Sequence, residues 1–143
     1  MTLSPTVWGP HYWFFIHTIA MCYPHRPNAV TKKKYYEFVQ NIPLFLPVQE
    51  IATYFGELLD QYPVSPYLDS RDAFIRWTHF IHNKINQRLE KPVISLSQFY
   101  ESYYEQYKPN DVKLRDYYKL RGRVVYVILV SLFVGAIFYL YNK

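Results

Sequence analysis

The chain has 143 residues, of which 20% are aromatic and only four are glycine, and its formal net charge is +5. This length allows one hydrophobic core, and the aromatic content favours packed helices over a loop-rich fold. The single cysteine, Cys22, excludes an intramolecular disulfide, a CxxC pair and a zinc ribbon, and no recognised nucleic-acid-binding motif accompanies the positive charge, so no nucleic-acid partner is expected.

Two helices are predicted at the N-terminal end. The sequence of residues 4–6, Ser-Pro-Thr, is typical of a helix start, and the first helix is expected to continue through Met21. The proline-containing segment 22–28 then makes a rigid connection. Thr31 is predicted to cap a second helix that runs through Ile42.

A third and a fourth helix are predicted in the middle of the chain. Pro47 is well placed to begin the third helix, over residues 48–62. Asp69 or Ser70 is expected to cap the fourth helix, and Pro92 is expected to stop it.

A fifth helix and a different C-terminal segment follow. Ser95 and Gln98 have the spacing of a capping box, so the fifth helix is expected to run through Gln106. No strand pattern competes with these helices. The sequence therefore predicts an all-α fold, with a bundle of four to five helices over residues 1–108.

The C-terminal residues have the composition of a membrane anchor. Residues 124–141 carry no charge, and at about 1.5 Å per residue they would span about 27 Å, close to the thickness of bilayer hydrocarbon. Before them, residues 109–123 form a basic juxtamembrane segment. We therefore expect a single transmembrane helix, with the bundle on the cytoplasmic or capsid-facing side of the membrane.

The predicted fourth helix has two different faces. The first is an apolar stripe with helical spacing, made of Phe74, Trp77, Ile81, Ile85 and Leu89. The second is a neighbouring polar stripe, made of His79, His82, Asn83 and Asn86. The residues alone leave two readings open for the polar stripe, a solvent-exposed rim or a set of ligand contacts.

Two motifs resemble the Erv/ALR family of flavin-dependent sulfhydryl oxidases. The sequence WGPHYWFFIHTIAMCYP is similar to the family's first helix, with a Trp, three residues, a His and a later Tyr-Pro. The sequence WTHFIHNKINQRLEKP is similar to the family's Trp followed by HNxVNxxLxKP, with Ile85 in place of Val. The resemblance covers most of residues 8–92. It implies an Erv/ALR-type bundle in which four helices cradle FAD and a fifth helps to close the site.

The resemblance also implies which residues hold the cofactor. The implied set is Trp13, His17, Tyr23, Trp77, His82, Asn83, Asn86 and Lys91. Those on the first helix would line the flavin, with Tyr23 at its edge, whereas those on the fourth would contact adenine, ribose and phosphate, with Lys91 at a phosphate. For Trp77, two roles stay open, stacking on the cofactor or packing in the core.

The sequence departs from the family at the redox centre. The family's CxxC opens the third helix, where this chain has Pro47 followed by Val48, Gln49, Glu50 and Ile51. Val48 and Ile51 occupy the two cysteine positions and are expected to be buried, filling the place of the disulfide. Neither can form a thiolate, so no catalytic residue is expected.

The remaining chemically active side chains predict no second site. Cys22 lies away from the CxxC position and has no partner, so it is interpreted as a structural or incidental thiol. The histidines lack cysteine and converging acidic residues, so no metal site is expected.

Three hypotheses for function follow. The first is a membrane-anchored, redox-inactive protein of sulfhydryl-oxidase type that serves as a structural or docking component, between the internal membrane and the capsid of a large DNA virus. The alternative is an FAD-binding flavoprotein that uses a partner's disulfide in trans. A third is a membrane-surface adaptor whose aromatic groove binds another helix. The resemblance also implies a homodimer through the first two helices, where Tyr35 and Phe38 lie.

Overall fold

The computed structural model describes residues 3–142. They form α-helices joined by short loops and two 3-10 turns, and no strand occurs within this part of the chain. The helices are α1 (Pro5–Met21), α2 (Ala29–Asn41), α3 (Gln49–Gln61), α4 (Arg71–Arg88), α5 (Leu96–Glu105) and α6 (Asn110–Tyr141). The predicted all-α fold is confirmed. The described residues fall into two compact units, one ending at Glu101 and the other beginning at Ser102.

Local capping explains where most of the helices begin. The Ser4 hydroxyl oxygen accepts a hydrogen bond from the Thr6 N–H at 3.4 Å, and Ser70 accepts one from the Ala73 N–H at 3.2 Å. Each cap satisfies a backbone donor that the first helical turn leaves unpaired. Of the two caps offered for α4, the structure therefore uses Ser70.

The start of α2 differs from the prediction. Asn28 caps this helix, and its Oδ1 accepts a hydrogen bond from the Thr31 N–H at 2.8 Å. Thr31 therefore lies in the first turn of a helix that begins at Ala29, so the predicted Thr31 cap is wrong. Both residue types are good caps, and the backbone of Asn28 is the one that is extended, as a cap requires.

The third helix begins close to the predicted position. Val48 is its N-cap residue and makes no side-chain capping hydrogen bond. Val48 and Ile51 are both only half-buried, so the expectation of two fully buried side chains at these positions is wrong. They lie at the exposed first turn, whereas Phe55, one turn further on, is 3% exposed.

The apolar stripe of α4 forms the centre of the first unit, as predicted. Phe74, Trp77, Ile81 and Ile85 are each no more than 3% exposed. Burying each such side chain stabilises the fold by roughly 1.5 to 3 kcal/mol. Helix α1 packs along α4, and this contact positions the polar stripe of α4 against the first helix.

The predicted capping box opens α5. The Ser95 N–H donates to Gln98 Oε1 at 2.8 Å, and the Gln98 N–H donates to Ser95 Oγ at 3.1 Å. These reciprocal bonds satisfy two backbone donors at the helix start. Because Ile94 precedes this box directly, the end of the loop that follows α4 is held in a defined conformation.

Helix α6 joins the basic segment and the apolar segment in one element of 32 residues. Its apolar part is long enough to cross a membrane, its mean hydropathy over the best window is 2.4, and none of that window is buried. A core helix of a soluble protein would instead be covered by other helices. The prediction of a C-terminal helix capable of spanning a membrane is confirmed.

The end of α4 allows a test of backbone strain. Helix α4 stops at Arg88, and Glu90 has a φ of 54°, which is rare for a residue with a side chain. We expect Glu90→Gly to raise the free energy of unfolding of a fragment spanning residues 1–108 by about 0.5 to 1 kcal/mol, because glycine adopts this conformation without steric cost. Urea denaturation measures the change.

A control for this prediction lies three residues earlier. Gln87 is an exposed residue inside α4, and Gln87→Gly is expected to destabilise the fragment by about 1 kcal/mol. If both substitutions destabilise the fragment equally, the positive φ of Glu90 carries no strain.

Candidate cofactor site

A pair of hydrogen-bonded histidines joins α1 to α4. His17 Nε2 and His82 Nδ1 are 2.9 Å apart, and His17 is only 4% exposed. The Trp13 ring stacks on the His82 ring, with centroids 4.1 Å apart and planes 12° from parallel. Since Trp13 and His17 are one turn apart on α1, both face the same side of α4. The structure therefore brings these three predicted site residues together.

Two further helices line this cluster. The Phe99 ring of α5 lies 4.5 Å from the His17 ring, and the Phe55 ring of α3 lies 6.2 Å from the Trp13 ring. Neither phenylalanine was among the predicted site residues. Phe55 lies within the predicted third helix and Phe99 follows the predicted capping box, but no local signal indicates which ring each would meet.

Burial keeps both histidines neutral near pH 7. Burial lowers the pKa of His17 to about 3, and the neighbouring His82 and His79 add to the effect. Burial likewise lowers the pKa of His82 to about 4, with smaller contributions from His79 and Lys91. Because a neutral imidazole has one donor and one acceptor nitrogen, one ring donates to the other across the 2.9 Å contact.

One nitrogen of this pair has no partner. His17 Nδ1 is buried and makes no hydrogen bond to any described residue. It is an acceptor if His17 Nε2 donates to His82, and a donor if His82 Nδ1 donates to His17. An unpaired buried polar group costs about 1 to 3 kcal/mol, so this atom marks a position that suits a ligand or a water molecule.

Asn86 offers a second unpaired polar group on the same side of α4. The residue is 8% exposed and lies one turn beyond His82. Its backbone oxygen accepts from the Lys91 N–H at 2.8 Å, but its side-chain amide makes no hydrogen bond within the described residues. This backbone contact holds Lys91 beside α4, where its charge reaches His82.

Asn83 has a different role in the structure. Its Nδ2 donates to the Ile94 carbonyl at 2.9 Å, and its Oδ1 accepts from the Ile94 N–H at 3.1 Å. His79 Nε2 donates to the same carbonyl, also at 2.9 Å. Asn83 and His79 thus tie the loop after α4 to the helix, and the predicted cofactor contact of Asn83 stays a prediction.

Tyr23 and Trp77 belong to a separate aromatic cluster. The Tyr23 hydroxyl donates to the Leu68 carbonyl at 2.7 Å, and Trp77 Nε1 donates to the Tyr62 carbonyl at 2.9 Å. Phe74 contacts both rings, at 5.2 Å and 6.2 Å between centroids. For Trp77 the structure shows core packing, and the predicted Tyr23 contact at the edge of a flavin stays a prediction.

Val48 and Ile51, which the resemblance assigns to the CxxC positions, begin the helix that carries Phe55. Ile51 precedes Phe55 by four residues, which places both side chains on one face of α3, about 6 Å apart along its axis. Phe55 in turn lies against Trp13. Phe55 thus connects α3 to Trp13, and neither Val48 nor Ile51 can ionise or exchange electrons. The ionisable group of this first turn is the exposed Glu50.

The fold and this site define a small helical bundle with a cluster of histidine and aromatic side chains between its first and fourth helices. The profile of the Erv1 / Alr family matches residues 10–105, which is more than half of the chain. The chain belongs to the Erv1 / Alr family. The predicted resemblance is confirmed.

Several viral proteins are similar to this chain in sequence. A probable FAD-linked sulfhydryl oxidase of Acanthamoeba polyphaga mimivirus is 31% identical over 101 residues, which is 70% of this chain and 71% of that protein. The FAD-linked sulfhydryl oxidase of African swine fever virus, Kenyan isolate, is 31% identical over 99 residues, 69% of this chain and 81% of that protein.

Solved structures show the same fold. The yeast Erv1 core is similar with a TM-score of 0.64 and 24% identity, covering 71% of this chain and 84% of that structure. The FAD-binding domain of Erv1 from Saccharomyces cerevisiae has a TM-score of 0.65 and 23% identity, covering 72% and 96%. The predicted Erv/ALR-type bundle is therefore confirmed as a fold.

The histidine pair predicts loss of stability in acid. Both folded-state pKa values lie below the ordinary value of 6.5, so the unfolded chain binds more protons between pH 6.5 and pH 4. Stability is therefore fully present above pH 6.5 and falls as the pH drops towards 4. We expect a loss of about 2 to 5 kcal/mol between pH 7 and pH 4.5, measured by urea denaturation of the 1–108 fragment.

The control separates this effect from the titration of carboxylates. His82→Gln should reduce the acid-induced loss, whereas His25→Gln, at an exposed loop residue, should leave it unchanged. An unaltered pH dependence in the His82 variant would show that the pair is not the titrating element.

Proposed function

We propose that this protein is a membrane-anchored member of the Erv1 / Alr family that keeps a flavin site, has lost its own redox dithiol and serves as a structural or docking component. The observation that carries the proposal is the pair of aliphatic residues, Val48 and Ile51, at the start of α3. The resemblance assigns Val48 and Ile51 to the cysteine positions, and α3, which they begin, packs Phe55 against Trp13 of the histidine cluster.

Loss of dithiol oxidation follows from the chemistry of these side chains. Oxidation of a dithiol requires a thiolate that attacks or is attacked at sulfur. Valine and isoleucine form no thiolate, mixed disulfide or flavin adduct. Cys22 does not replace them, because it is exposed at the C-terminal end of α1 and is the chain's only cysteine.

The cleft fits FAD by its unpaired groups. His17 Nδ1 is buried without a partner, the Asn86 amide makes no hydrogen bond within the described residues, and the half-buried Trp13 ring stacks on His82. Flat cofactors with polar edges are held by such combinations. His17, His82 and Asn86 would hold the ring systems and ribose, and Lys91 would contact a phosphate. When bound, FAD supplies an acceptor for two electrons.

The proposed location rests on α6 and on the viral relatives. The apolar part of α6 is uncovered and suits a bilayer, and the basic segment before it suits the cytoplasmic or capsid-facing side. Since several relatives are viral proteins, we propose an internal membrane of the virion of a large DNA virus, with other virion proteins as partners.

A homodimer through α1 and α2 is part of the proposal. A groove of about 420 Å³ lies on this side of the bundle. It is lined by His11, Tyr12, Phe15, Ile16, Phe38, Ile42 and Phe45. Phe15 and Phe45 are 57% and 70% exposed, so a second copy would cover large aromatic surface. Tyr35 does not line this groove. Its ring packs against that of Tyr23, with the ring centroids 4.5 Å apart.

A second candidate function is supported by the unpaired His17 Nδ1. If FAD is retained, the protein acts as a flavoprotein that uses a redox-active disulfide of a partner in trans. This candidate requires flavin, whereas a docking role does not.

The visible spectrum of the purified 1–108 fragment tests the flavin part of the proposal. We expect a yellow protein with one bound flavin per chain. A colourless, well-folded fragment that takes up no added FAD would contradict flavin retention and would leave only the docking role.

A further inference from the structure

Helix α4 has a third face, on the flank opposite the candidate cofactor site. Arg76, Phe80, Lys84 and Arg88 follow one another at intervals of four residues and form a stripe about 18 Å long, which we call the cationic face. Asn86 lies two residues from both Lys84 and Arg88, and residues two apart on a helix point in nearly opposite directions. The cationic face is therefore separate from the cleft.

The cations of this face have no acidic partners. Among the described residues, no carboxylate lies within 4.0 Å of Arg76, Lys84 or Arg88. Other basic residues of the bundle are paired, for example Lys32 with Asp69 at 2.5 Å and Lys34 with Glu37 at 2.9 Å. These three side chains thus form no ion pair, and the nearest acidic residue in the same series is Asp72, one turn before Arg76.

Aromatic rings of α3 and α4 hold two of these cations in place. The Lys84 ammonium group lies 5.3 Å from the Phe80 ring centre and 5.7 Å from that of Tyr62. The Arg88 guanidinium group lies 5.6 Å from the Tyr54 ring centre. Such contacts are weakly stabilising at an exposed surface, and they restrict long side chains that would otherwise lose entropy when a partner binds.

We propose that the cationic face docks an acidic segment of a partner protein. Carboxylates complement the three unpaired charges, and the restricted side chains lower the entropic cost of pairing with them. Single-stranded nucleic acid fits less well, because bases need free aromatic faces for stacking and the cations already cover the rings of Phe80, Tyr62 and Tyr54. This inference specifies a partner chemistry for the proposed docking role.

Binding of an oligoglutamate peptide to the full chain tests the inference. The chain is placed in nanodiscs of zwitterionic lipid, so that anionic lipid does not compete for the peptide. We expect binding that weakens with salt, and we expect Lys84→Gln/Arg88→Gln to weaken it about tenfold. Arg76→Gln, at an exposed residue, should cause a smaller loss in the same direction.

A matched pair of substitutions controls for net charge. Lys33→Gln/Lys34→Gln removes the same charge from the exposed part of α2 and should leave peptide binding within about twofold of wild type. Equal weakening by both double variants, absence of peptide binding, or tighter binding of oligothymidylate than of oligoglutamate at equal charge would each overturn the inference. Since the readout involves neither flavin nor thiol, its failure is distinct from failure of the redox proposal.

Discussion

The double substitution Val48→Cys/Ile51→Cys is expected to create dithiol oxidase activity in the FAD-loaded protein, at a rate on the order of 100-fold or more above wild type. The reason is positional. Residues 48 and 51 open α3, one to two turns before Phe55, whose ring lies 6.2 Å from Trp13 in the cleft. A cysteine pair there supplies the dithiol that the chain, with Cys22 alone, lacks, next to the site proposed for flavin.

Oxygen consumption with dithiothreitol as the reductant measures this gain. Val48→Ser/Ile51→Ser is the control, because serine has nearly the size of cysteine and cannot form a disulfide. If the cysteine variant binds flavin and forms the disulfide but consumes no oxygen, the first turn of α3 does not face the cofactor, and the assignment of these two positions is wrong.

Substitution of His82 or Asn86 is expected to weaken binding of the cofactor. His82→Ala or Asn86→Ala should each weaken FAD binding by about 10-fold or more, because each removes a buried hydrogen-bonding group from the cleft, or its support, at about 1 to 3 kcal/mol. For His82 the loss includes the ring that stacks on Trp13 and pairs with His17. Equilibrium titration with FAD, followed by flavin fluorescence, gives the affinities.

Two controls accompany that titration. His25→Gln changes an exposed histidine outside the cleft and should bind FAD as wild type does. Thermal unfolding of each variant without FAD separates loss of the site from loss of the fold. Wild-type affinity in a stably folded Asn86→Ala variant would show that the buried amide does not contact the cofactor.

The helices and the core could be predicted because their signals are local. The apolar stripe of α4 follows the helical period, and the capping boxes and caps at Ser4, Ser70 and Ser95 satisfy neighbouring backbone donors. Where two good caps stood close together, as Asn28 and Thr31 do, residue type could not choose between them. The choice depends on which backbone is extended.

The site could be predicted only in part, because its geometry depends on contacts between helices. The spacing of Trp13 and His17 places both on one face of α1, but it does not reveal that His17 meets His82. No local signal indicates that the Asn83 amide would form hydrogen bonds with the backbone of Ile94, or that the buried Tyr23 hydroxyl would donate to the Leu68 carbonyl. Such partners are far apart in sequence, and only the packed bundle brings them together.

The half-buried position of Val48 and Ile51 has a similar explanation. Apolar side chains predict burial on average, but the first turn of a helix at the surface leaves them partly in water. Both side chains are therefore partly accessible to solvent at the start of α3. Substitution at these positions is therefore expected to change reactivity more than stability.

The most direct test of the central claim is oxygen consumption by the FAD-loaded wild-type protein with dithiothreitol as the only reductant. We predict a rate no greater than that of the same concentration of free FAD, because a chain whose single cysteine is Cys22 cannot form the intramolecular disulfide that would accept two electrons from a dithiol. A protein-dependent rate that saturates with dithiothreitol, with the flavin cycling between oxidised and reduced forms, would contradict the loss of dithiol oxidation.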